Sequence, residues 1–127
     1  MLNFIMTKKR VSTRTIVDKS PTELHIKHIH HTDIIEKGKG IKSNIPICVI
    51  KIYFNREKMV VVDGNHRLQW CRDNNKETIK CWVIDEGDKE KIKANTQNIK
   101  DYVNGEISFE ELRRGALIAM RKCKKQR

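Results

Sequence analysis

One short string in this chain carries most of its chemistry: Val61-Val62-Asp63-Gly64-Asn65-His66-Arg67-Leu68. An apolar run enters it, and a helix is expected to leave it, through a glycine. A strand passing directly into a helix points the first N–H groups of that helix at the mouth of the strand. Those groups and the helix dipole favour an anion, typically phosphate. Gly64 lets the backbone approach closely. Arg67 adds a permanently charged fork matched to phosphate oxygens, and His66 adds a group that titrates near neutral pH. Asp63 has three possible uses: it can orient Arg67, bind a cation or cap the helix. The same string can also serve as a capped strand–helix junction, since Asp-Gly often marks a turn.

The elements that must position this string can be read on both sides of it. Thr22–Ile26 and Ile45–Phe54 read as strands, and Met59–Val62 as a short buried strand. Residues 30–44 are polar, with Gly38 and Gly40 marking a loop, and Asn55-Arg56-Glu57-Lys58 reads as a polar turn. A helix is expected over residues 65–74, with Leu68 and Cys71 facing the core, stopped by Asn74-Asn75-Lys76. Thr78–Ile84 is the next strand, setting Ile79, Cys81 and Val83 against Lys80, Trp82 and Ile84. Beyond it, Lys89–Asn104 has helical spacing (Ile92, Ile99, Tyr102, Val103) and Gly105 breaks it. Ser108-Phe109-Glu110-Glu111 forms a capping box before a helix with Phe109, Leu112, Ala116, Leu117 and Met120 on one side. The expected organisation is a basic arm (1–15), an α+β core (16–88) and an appended helical hairpin with a basic tail (89–127).

The chain has 127 residues and a formal net charge of +11. Arg and Lys without any acid give +4 to residues 1–14 and +5 to residues 121–127, which leaves 18 bases and 16 acids between them. The basicity therefore belongs mostly to the ends. Such ends are either solvated tails or arms that grip phosphate backbone. No stretch approaches the roughly 20 apolar residues of a bilayer span, and the start is too short for a signal peptide. A cytoplasmic protein with no membrane partner is expected. Cys48, Cys71, Cys81 and Cys123 show no C-x-x-C spacing and are read as reduced, partly buried side chains. His25, His28, His30 and His31 crowd together, but no Cys or carboxylate completes a metal-ligand spacing. They read as a polar, pH-sensitive surface.

Residues 60–85, VVVDGNHRLQWCRDNNKETIKCWVID, resemble the ParB/sulfiredoxin superfamily. The shared pattern is a hydrophobic strand, Asp-Gly-x-His-Arg, a short helix, a polar break and a Thr-Ile-x-Cys strand. Upstream, Ile45-Pro46-Ile47-x-Val49 is similar to the family's Pro-Ile-x-Val strand. The resemblance covers residues 22–85 and implies a small mixed sheet with packed helices. It also implies binding of nucleotide phosphates at Gly64, Asn65, His66 and Arg67. Members diverge into CTP-binding partition proteins, sulfiredoxins, an ADP-dependent free-serine kinase and ParB-like nucleases. Asn65 stands where sulfiredoxin has its cysteine, which argues against sulfinate repair. Of the partition proteins' Gly-Glu-Arg-Arg-x-Arg, only Gly64 and Arg67 match, and Gln69 replaces the last arginine.

The kinase-like form implies an acidic base after the first strand. Asp33 is the position that matches best, with Glu23 and Glu36 as alternatives, and His66 is a second catalytic candidate. The expected ligands are ATP, ADP or CTP, with Mg2+ linked to Asp63, for hydrolysis or phosphoryl transfer. Two alternatives stand beside this. One is a DNA- or RNA-binding protein, or nuclease, that uses the basic ends, with Trp70 and Trp82 as candidates for base stacking. The other is a non-catalytic interaction module whose C-terminal hairpin docks on a partner or forms a homodimer.

Overall fold

The computed structural model describes residues 20–54, 56–87 and 96–125. The basic arm, the first part of the helix expected from Lys89, and Asn55 lie outside these residues. The fold is α+β: the described residues form a five-stranded mixed sheet with three α-helices. The strands are β1 (Thr22–His25), β2 (Ile29–His30), β3 (Ile47–Phe54), β4 (Arg56–Asp63) and β5 (Thr78–Ile84), in the order β1-β5-β3-β4-β2. β5 and β3 are parallel, as are β4 and β2; β1 with β5 and β3 with β4 are antiparallel.

This order forces curvature. β1 and β2 are the two edges, yet only the 3-10 turn Ile26–His28 joins them. A flat five-stranded sheet would separate its edges by roughly 19 Å, and a 3-10 turn rises only about 2 Å per residue. The sheet therefore curls until its edges nearly meet.

Helix α1 (Asn65–Asp73) follows β4 through Gly64. It ends at Asn74, and Asn75 takes the left-handed conformation at φ 55°. Helices α2 (Gln97–Val103) and α3 (Phe109–Lys125) close the chain. Two apolar clusters cover the two faces of the sheet. Ile29, Ile47, Val49, Val61, Leu68 and Cys81 form one, under α1. Ile50, Ile52, Val60 and Ile84 form the other with Ile99, Tyr102, Leu112, Ala116 and Met120. The first half of β3, Ile47–Ile50, is consequently an apolar run buried on both sides, not an alternating one.

Three expectations change on this framework. Arg56–Lys58 is not a turn: the β3–β4 ladder pairs Tyr53 with Glu57 and Phe54 with Arg56, so strand pairing continues to the hairpin tip. The hairpin is not an appendage either, since its apolar side shares the main core cluster. Leu112, Ala116 and Met120 are buried there, and Phe109 and Leu117 pack against them. The basic C-terminal segment is helical through Lys125, with Cys123 buried.

The capping box at Ser108 is formed. The Glu111 N–H donates to Ser108 Oγ (3.1 Å), and the Ser108 N–H donates to Glu111 Oε1 (3.2 Å). The four cysteines are free thiols, with Cys48, Cys81 and Cys123 buried. Burial pushes Cys48 and Cys81 up to about 12, so both stay protonated at neutral pH. No helix among the described residues is long and apolar enough to cross a membrane.

Candidate functional site

The site is built on the junction of β4 and α1. Gly64 sits at φ 121°, ψ 25° as the N-cap of α1 and brings no side-chain cap of its own. A Cβ at Gly64 would lie 2.6 Å from Cβ of the buried Ile47, so glycine is required by both conformation and space. The first intrahelical bond runs from the Leu68 N–H to the Gly64 carbonyl (2.9 Å). The amides of Asn65, His66 and Arg67 therefore lack an intrahelical acceptor, as at any helix start.

Asp63 is buried at the end of β4, and its Oδ2 lies 3.2 Å from Arg67 Nη2. Arg67 Nη1 also donates to the carbonyls of Ile45 (3.0 Å) and Pro46 (2.9 Å). Of the three uses open to Asp63, the geometry realises the orienting of Arg67. Most of the guanidinium fork is in turn spent on the chain entering β3. Sequence reasoning reserved that fork for phosphate.

Asn65 is likewise engaged. Its Oδ1 accepts from the N–H groups of Thr32 (2.9 Å) and Asp33 (3.3 Å), and its Nδ2 donates to Thr32 Oγ1 (3.0 Å). Thr32 Oγ1 donates on to the Val61 carbonyl (2.8 Å). Asn65 thus clamps the segment after β2 onto the junction and brings Asp33 to it.

This clamp is the first of a series. The loop of residues 31–46 runs along α1 and is tied to it at every turn. The Ile41 N–H donates to the His66 carbonyl (3.0 Å), and the Gly38 N–H to Asp73 Oδ2 (2.8 Å). The Gly38 bond holds the Asp73 carboxyl below its usual range. At Gly40 a Cβ would lie 2.6 Å from Trp70 Cα and 2.9 Å from the His66 oxygen, so this glycine permits the close pass. Trp70 packs under it, with Lys42 and Lys76 ammoniums 5.7 and 5.8 Å from its ring centre. Trp82 packs against the main core cluster. Both indoles therefore have protein partners of their own.

Between the loop and the junction lies a cavity of about 430 Å3, lined by Asp33, Asp63, Gly64, Asn65, His66 and Arg67. The six residues singled out from the sequence thus face one space. Of the three acidic candidates for a base, Asp33 lines it. Glu23 lies on β1, where its carboxylate accepts from Thr78 Oγ1 (2.7 Å), and Glu36 lies on the loop outside the lining. His66 is exposed at the rim. Sequence reasoning missed Ile41, Ser43, Ile45 and Thr96 in the lining. Ile41 and Ile45 are 55% and 59% exposed, an apolar edge that a polar loop composition concealed.

For a divalent cation, the cavity offers two carboxylates, Asp33 and Asp63. Magnesium is commonly held by one or two carboxylates together with substrate phosphates, so this donor set fits it. Among the described residues, no three His, Cys, Asp or Glu side chains converge as an all-protein metal site.

No protein-family model, no curated protein and no solved structure matches this chain. The cavity at the β4–α1 junction is what defines its candidate site.

Proposed function

We propose that this protein is a ParB/sulfiredoxin-like nucleotide binder that holds phosphates at the Asp63–Arg67 junction. One observation carries the reading: a single cavity gathers Asp33 with Asp63, Gly64, Asn65, His66 and Arg67, the residues selected from the sequence. The resemblance of residues 60–85 supports it.

In this reading the amides of Asn65–Arg67 and the dipole of α1 receive the phosphate oxygens, and the exposed His66 side chain adds a donor at the rim. Gly64 permits the approach. Arg67 and Asn65 act mainly as positioning residues, since their side chains fix Ile45–Pro46 and Thr32–Asp33. The exposed Ile41 and Ile45 form an apolar shelf on which a base can lie. A magnesium ion held by Asp33 or Asp63 would neutralise phosphate charge. Asp33, exposed and facing the cavity, is placed to accept a proton from an attacking water or hydroxyl in hydrolysis or phosphoryl transfer.

Calorimetric titration with ATP, ADP, CTP and GTP, with and without Mg2+, tests the reading. The wild type should bind at least one of them. His66→Ala should weaken that binding roughly tenfold, the worth of one charge-assisted hydrogen bond. Asp33→Asn should retain binding and lose turnover. Absence of binding to all four nucleotides refutes the proposal.

A further inference from the structure

A second concentration of positive charge lies away from this site. A second cavity, of about 480 Å3, lies where β2, the first half of β4 and the end of α3 meet. The nearest lining residues of the two cavities on β4, Met59 and Asp63, are four residues apart, about 13 Å along the strand.

Lys27, Arg56, Lys58 and Lys124 line this second cavity together with His25, His28 and His30. The acid in the lining, Glu57, is turned to other partners: Lys51 Nζ lies 3.7 Å from its Oε1, and the Tyr53 hydroxyl donates to its Oε2 (3.2 Å). The cationic side chains face one another instead. Lys124 is the first cause of a lowered proton affinity at Lys58, and Arg56 and Arg121 add to it. Such crowding of like charge opposes folding unless an anion enters.

The walls are also fixed in advance. Arg72 Nη2 donates to the carbonyls of Ile26 (3.3 Å) and Ile29 (2.7 Å), pinning the 3-10 turn from behind. The rings of His25 and His28 meet edge to face at 5.9 Å. β2 pairs only with Met59 and Val60, so it does not cover the Arg56–Lys58 part of β4. A lysine on an open edge strand can serve simply to block pairing with another chain. That explains Lys58. It does not explain why Lys124, from a different element, and Lys27 face the same space.

The charge continues outward from the cavity. Lys125 is exposed one residue beyond Lys124, at the end of α3. We propose that this cavity and the adjoining end of α3 bind the phosphodiester backbone of a nucleic acid, without reading its sequence. Four cations from three elements, the 3-10 turn (Lys27), β4 (Arg56 and Lys58) and α3 (Lys124), are more than one small anion needs, and phosphate contacts of this kind position a strand independently of its bases. This proposal does not depend on nucleotide binding at the β4–α1 junction.

The test is binding of a labelled 20-nucleotide single strand to the full chain across a range of salt concentrations. Lys58→Ala/Lys124→Ala is compared with Lys80→Ala/Lys100→Ala, which removes the same charge elsewhere. The wild type should bind, with log affinity falling linearly against log salt. The cavity pair should reduce that slope by about 1.4, the value for two lost single-strand phosphate contacts. The control pair should reduce it by much less. Thermal unfolding of the cavity pair should show an unchanged or raised midpoint, because the substitutions relieve repulsion, so any lost binding is not lost folding. Equal slopes for the two pairs overturn the proposal. So does competition by tripolyphosphate as effective, per molecule, as that of unlabelled strand, which would mark a small-anion site instead.

Discussion

Replacing Gly64 with alanine isolates the feature on which the junction depends. Two costs act at this position. The φ of 121° lies where a side chain is strained, a penalty of about 1–3 kcal/mol. The new Cβ would also meet Ile47, 2.6 Å from its Cβ, and Ile47 is fully buried in β3 and cannot retreat. Overpacking of that kind costs about 1–3 kcal/mol.

Two other glycines separate the costs. Gly38 has φ +85° but nothing within 4 Å of a Cβ, so Gly38→Ala meets backbone strain alone, about 1 kcal/mol. Gly40 is not at positive φ, and its Cβ would lie 2.6 Å from Trp70 Cα, so Gly40→Ala meets the close approach alone, about 2 kcal/mol. Gly64→Ala should then cost about 3–5 kcal/mol, a large share of the stability of a small domain. Urea unfolding followed by the fluorescence of Trp70 and Trp82 measures all three. A Gly64→Ala protein no less stable than Gly38→Ala would refute the account of the junction.

Three further outcomes follow from the same geometry. Arg67→Ala should destabilise the fold by about 3 kcal/mol, because it removes the ion-pair partner of the buried Asp63 and the donor to the Ile45 and Pro46 carbonyls; urea midpoints check this, and Arg67→Lys should not restore it. Asn65→Ala should speed hydrogen exchange at the Thr32 and Asp33 amides, which lose their acceptor, with about 1–2 kcal/mol of stability lost. His30 is held down to about 4, first by burial and then by Lys124, Lys58, Arg72 and Arg56. Its imidazole therefore stays neutral in the folded state while the unfolded chain takes up a proton. Stability should fall as pH drops from about 6.5 to about 4, by at most about 3 kcal/mol and by less in salt, and His30→Gln should remove that part of the pH dependence of the thermal midpoint.

The junction was legible because its signals are local. An apolar run, a glycine and a polar helix start sit side by side in residues 60–68, and Thr78–Ile84 has its observed bounds in the sequence. The Ser108 capping box is equally local. What escaped depends on pairing between distant segments. β2 is two residues long, and its partner is β4, so Ile29 and His30 carry no periodic signal. Arg56–Lys58 is as polar as a turn, and only its ladder with β3 makes it a strand. The loop of residues 31–46 lacks secondary structure, and its order comes from Asn65, Arg67 and Asp73 on α1. For the same reason, Asn65 and Arg67 look like ligands in the sequence and act as fasteners in the fold.

The central claim concerns the junction itself, and amide-resolved NMR during nucleotide titration tests it most directly. With ATP or ADP added to the full chain, the account predicts saturable shifts at the backbone amides of Gly64, Asn65, His66 and Arg67 and at Asp33. It is contradicted if those amides stay in place while the nucleotide binds, or if the shifts gather at Arg56, Lys58 and Lys124 instead.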